Sequence, residues 1–99
     1  MTRGVDGGYM TINHFLLAAD DILKAQSLIE HTRERKAQGL SINGDKARIN
    51  HFINKAIIHY DNYRQYIKTL KPEAREEAMQ LFVGLDTAIN DAKDRLKRL

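Results

Sequence analysis

Apolar residues recur along most of this chain at steps of three and four, the spacing that lines up side chains on one face of an α-helix. Three stretches carry the pattern. In the first, over residues 12–36, Ile12, Phe15, Leu16, Ala19, Ile22, Leu23 and Ile29 share a face. The second, over 45–70, is the most regular. Its Ile49, Ile53, Ala56, Tyr60, Tyr63, Ile67 and Leu70 alternate steps of four and three, as a helix must to stay against a neighbour for several turns. The third, over 72–99, sets Ala74, Ala78, Leu81, Leu85, Ala88, Ala92 and Leu99 on a similar seam, with Phe82, Ile89 and Leu96 beside it.

Glycine and proline punctuate these stretches. Thr11 or Asn13 is placed to cap the first helix, and Gly39 to supply a left-handed stop after Arg33, Arg35 and Lys36. Asn43-Gly44 marks a turn, and Leu40 and Ile42 are expected to fold back onto the end of the bundle. Pro72 ends the second helix and opens the third, whose first turns carry Glu73, Glu76 and Glu77. Gly84, inside the third helix, costs about 1 kcal/mol relative to alanine and points to a close backbone crossing or a slight bend. Gly4, Gly7 and Gly8 predict a flexible N-terminal arm over residues 1–10, ahead of one helical domain at 11–99.

Helices of similar length joined by short connections favour antiparallel neighbours. The fold expected is therefore all-α, an up-down-up antiparallel three-helix bundle. Apolar residues off the main stripes, among them Leu17, Leu28, Ile57, Ile58, Met79 and Val83, leave surplus apolar surface. They either broaden the interfaces of a compact bundle or keep one face for a partner, which includes a second copy in a homodimer.

Composition narrows the chemistry. With no cysteine among 99 residues, the chain has neither disulfides nor thiolate metal sites. No apolar run approaches the roughly 20 residues of a membrane span, and residues 1–10 lack the apolar core of a signal peptide. A cytoplasmic location is the expectation. Phosphate-binding loops, dinucleotide turns and nucleophile elbows are all missing. His14, His31, His51 and His59 form no i, i+4 metal-binding pair, and Asp20-Asp21 and Asp91/Asp94 read as solvated helix faces. No catalytic residue, cofactor or metal site is expected, and the chain does not read as an enzyme.

Two surfaces remain as binding candidates. On the second helix, Tyr60, Tyr63 and Tyr66 follow one another at steps of three, flanked by Ile58, Arg64 and Lys68. Core packing explains such tyrosines, but tyrosine also concentrates at binding hot spots. The other surface is the bundle end where an up-down-up order gathers Arg33, Arg35, Lys36, Lys46, Arg48, Lys93, Arg95, Lys97 and Arg98. Glu30, Glu34, Asp45, Asp91 and Asp94 dilute it, and two helix C-termini attract cations there in any case. The chain's net charge of +3 is too small to decide the matter. The first function expected is a non-enzymatic protein–protein interaction module. By analogy of class alone, it is a regulator or inhibitor of the kind carried by phages and mobile elements. The alternative is a nucleic-acid-binding protein that uses the basic end, with affinity falling steeply with salt.

Overall fold

Each stretch of three-four spacing becomes a helix. The computed structural model describes residues 13–99, in which α1 (His14–Ala37), α2 (Asn43–Ile67) and α3 (Pro72–Arg98) follow in order. No strand occurs among the described residues. The arm expected over residues 1–10, with Thr11 and Ile12, lies outside the described residues.

Local chemistry sets the helix ends. Asn13 caps α1 by accepting the Leu16 backbone N–H at 3.1 Å. At the other end Gly39 takes φ +79°, the Leu40 N–H donates to the Arg35 carbonyl, and the Gly39 N–H donates to the Lys36 carbonyl. Those two bonds form a Schellman stop, which needs a left-handed residue. Pro72 occupies the first turn of α3. Two expectations about the connections are corrected. Asn43 and Gly44 are the first residues of α2, because the Gly39 stop has already turned the chain and no second turn is needed. Leu40 does not fold back but stays exposed, while Ile42 is half-buried. Helix α2 ends at Ile67, where the Thr69 hydroxyl and N–H both donate to the Tyr66 carbonyl and tighten the chain toward Pro72.

The order is up-down-up and antiparallel. Phe15 at the start of α1 meets Tyr63 near the end of α2, with ring centroids 5.5 Å apart. Thr32, near the end of α1, donates to Asp45 in the first turn of α2. Tyr60 donates to Asp86 across the α2–α3 interface. The Lys36 ammonium donates to the Leu99 carbonyl, which brings the C-terminal ends of α1 and α3 together.

Packing selects one seam on each helix. On α2, Ile49, Ile53, Ala56, Tyr63 and Ile67 are buried as the spacing implies. On α1 the buried line is Ala18, Ile22, Ala25, Ile29 and Thr32, which is as regular as α2 and rotated away from Leu16 and Leu23. On α3 it is Ala78, Leu85, Ile89 and Ala92, continued by half-buried Phe82, Leu96 and Leu99. Ala78, Leu85, Ala92 and Leu99 of the expected seam thus face inward, Phe82, Ile89 and Leu96 join them, and Ala74 and Leu81 are exposed. Alanine at 18, 25, 56 and 92, each fully buried, lets the helices approach closely. No helix backbone crosses at Gly84, where an added Cβ would meet nothing within 4 Å.

Two polar groups are carried into these interfaces. The Asp45 carboxylate accepts the buried Thr32 hydroxyl at 3.3 Å and Arg35 Nε at 2.9 Å, fastening α1 to the start of α2. Asp20 is exposed and pairs with Lys24 on its own helix. Asp21, read with it as solvated, is instead buried facing α2, with Lys55 Nζ 3.7 Å from its carboxylate. It lies one helical step, about 100°, from the buried Ile22.

Truncation of Ile53, which is 2% exposed between the helices, tests this core. Urea unfolding of Ile53→Ala is expected to show a loss of about 2–5 kcal/mol.

Candidate interaction groove

The tyrosines are divided between packing and surface. Tyr60 stacks on Phe82 with centroids 4.6 Å apart, and its hydroxyl donates to Asp86 at 2.8 Å. Tyr63 is 6% exposed and donates to the Ala78 carbonyl at 3.3 Å. Tyr66, 44% exposed, turns toward α1 and borders a cleft with Asn13, His14 and Phe15. Ile58 projects from the outward side of α2 at 59% exposure, and Arg64 and Lys68 are exposed as well, Arg64 pairing with Asp61. The six residues thus do not form one strip: Tyr60 and Tyr63 hold α2 to α3, Arg64 and Lys68 border a hollow with Met79 and Phe82, and Ile58 and Tyr66 lie elsewhere on the surface.

Burial raises both packed phenols above their ordinary pKa of 10.0. Desolvation is the first cause for each, reinforced at Tyr60 by the Asp86 hydrogen bond and charge, and at Tyr63 by Tyr66 and Glu77.

The basic end is assembled but largely engaged. Arg33 pairs with Glu30, Arg95 with Asp91, and Arg98 with Asp94, each on its own helix. Arg35 is held by Asp45 and the Ser41 carbonyl, and Lys36 by the Leu99 carbonyl. Lys46, Arg48, Lys93 and Lys97 make no ion pair within 4.0 Å among the described residues. Three of the nine cations, Arg33, Arg95 and Arg98, converge on a shallow hollow of about 370 Å³ beside Ile29 and Leu99.

Between α1 and α3 lies a feature that the spacing alone does not reveal. This is the smallest of the three helix interfaces, and it opens toward solvent. A groove of about 360 Å³ runs along it, with Ile22 and Leu85 at its base and Ala19, Gly84 and Ala88 in its walls. Leu23 and Leu81 flank it at 64% and 46% exposure, and Leu16, seven residues before Leu23 on α1, is 59% exposed. Phe15 and Leu81 are shared with the cleft at the Tyr66 end, a further 540 Å³ or so, making one continuous trough. The groove is mainly apolar, whereas the cleft mixes apolar residues with Asn13, His14 and Glu77. Scattered exposed leucines need no explanation, but an apolar groove does. The signal in the sequence was the pair Leu16 and Leu23, seven residues apart, with Gly84 in the facing helix.

Titratable groups do not gather into a second site. His14 and His59 approach each other across α1 and α2, Nδ1 to Nδ1 at 3.2 Å, with ring centroids 5.4 Å apart. That nearly head-on geometry is a hydrogen bond from one imidazole to the other. No group of three His, Cys, Asp or Glu that could hold a metal occurs among the described residues. No helix among them is long and apolar enough to cross a membrane. Compared with protein-family models, curated proteins and solved structures, the chain matches none.

Phenolate absorbance should report the two packed tyrosines directly, both ionising above pH 10.0. The folded state holds these protons more tightly than the unfolded chain does. Their contribution to stability is therefore complete below about pH 10 and lost as pH rises through the folded values. Tyr60→Phe should lower stability by about 1 kcal/mol at neutral pH and reduce this alkaline loss.

Proposed function

We propose that this chain is a non-enzymatic protein-interaction module whose contact surface is the groove between α1 and α3. The observation that carries the reading is the exposure of Leu23 and Leu81 around Ala19, Gly84 and Ala88. Leucines on the rims and small residues in the walls suit a helix that lays an apolar face into the trough. Gly84 fits this reading too. Nothing inside the bundle needs a glycine there, and on an exposed helix face it costs about 1 kcal/mol relative to alanine. Close approach by a helix from outside gives the missing side chain a use.

The second reading, nucleic-acid binding at the basic end, is favoured by the convergence of Arg33, Arg95 and Arg98 with Lys36 nearby. It is weakened by the carboxylates already paired with the three arginines. Regulator, inhibitor and mobile-element origin remain analogies of class.

Capture from native lysate with a tagged chain separates the two readings. Nuclease-resistant recovery of a protein that Leu23→Glu abolishes and Arg95→Glu/Arg98→Glu spares is the expected result. Recovery lost on nuclease treatment or with the charge reversal, and indifferent to Leu23→Glu, would replace it with the nucleic-acid reading.

A further inference from the structure

We infer that the helix received by the groove belongs to a second copy of this chain, packed antiparallel across a two-fold axis near Leu23 and Gly84; the inference rests on the groove being the contact surface. Charge along the groove argues for it. Leaving out Asp21, which is buried against α2, the half of α1 and α3 nearer His14 and Pro72 carries four acids and two bases, Asp20, Glu73, Glu76 and Glu77 against Lys24 and Arg75. The half nearer Ala37 and Arg98 carries seven bases and five acids. Because α1 and α3 run in the same direction, the two charge gradients add instead of cancelling. A parallel neighbour would set like ends together. An antiparallel one sets Glu73 and Glu77 of each chain toward Arg33 and Arg95 of the other. The arginines are able to turn outward, since their present carboxylate partners are exposed pairs on the same helix, a class worth only a few tenths of a kcal/mol.

Shape is compatible with this. Leu23 on α1 and Gly84 with Ala88 on α3 line the same stretch of the groove. An antiparallel two-fold across that height lays α1 on α1 and α3 on α3. The Leu23 side chains of the two copies then meet each other, and the α3 backbones come close at Gly84 and Ala88. Apolar burial then supplies the affinity, and the charged ends set the direction.

Sedimentation equilibrium of the purified chain tests this. Twice the monomer mass of 11.4 kDa is expected, retained at 1 M salt, where contacts between exposed charges are screened. Leu23→Glu should give a monomer with unchanged helical circular dichroism. Gly84→Gln, at a position with free space inside the bundle, should do the same by a different route. Direction is read by a spin label on a single cysteine introduced at Arg98, which the cysteine-free chain permits. Antiparallel copies place the two labels about 40 Å apart, twice the rise from Gly84 to Arg98, and parallel copies place them side by side. A strict monomer, a dimer indifferent to both groove variants, or adjacent labels would overturn the inference. If the chain is monomeric yet captures a different protein in a Leu23-dependent way, the second copy fails as occupant and the interaction-module reading stands. If it is monomeric with no such capture, both fail.

Discussion

The close approach of α1 and α2 is the constraint on which the rest of the molecule depends. Ala18 and Ala25 on one helix and Ala56 on the other are fully buried, so Ile22, Ile29, Ile49 and Ile53 interlock around them. The Schellman stop at Gly39 and the Thr32–Asp45–Arg35 contacts hold the same pair together at one end. The tilted Phe15 and Tyr63 rings do so toward the other. With these two helices fastened, α3 has one line on which to lie.

That line brings α3 against α2 more than against α1. Tyr60 stacked on Phe82 and bonded to Asp86, and Tyr63 bonded to the Ala78 carbonyl, draw the first half of α3 toward α2. The α1–α3 side is left partly open as a consequence, with Lys36 tied to Leu99 at its far end. The groove is therefore the other side of the tyrosine packing. Residues that looked like a binding strip create the groove indirectly, by tilting the bundle's contacts to one side.

Charge follows the same geometry. Helix C-termini attract cations, and the up-down-up order puts two of them at one end, with Arg35 and Lys36 from α1 beside Arg95, Lys97 and Arg98 from α3. The acidic first turns of α3 fall at the opposite end, beside Asp20 and Asp21. A pattern that stabilises each helix separately becomes an axial asymmetry of the whole bundle, and the groove runs along that axis.

The number of helices, the stop at Gly39, the start at Pro72 and the seam of α2 follow from the sequence by itself, because they depend on backbone sterics and local periodicity, whereas both ends of α2 fall two or three residues from where the spacing put them. Up-down-up order followed too, since short connections leave little else. Which of two neighbouring apolar stripes faces inward on α1 and α3 did not. Leu16, Leu23 and Leu81 are as apolar as the residues that are buried, and neighbouring positions on a helix differ by a rotation of about 100°. Only packing against actual neighbours chose the Ala18–Ala25 line, whose alanines let backbones come close, and turned Phe82 and Ile89 inward on α3, and so left these leucines outside. The burial of Asp21, the meeting of His14 with His59 and the groove itself are products of that choice. Each joins residues on different helices, and no spacing along one chain segment encodes a distance between two.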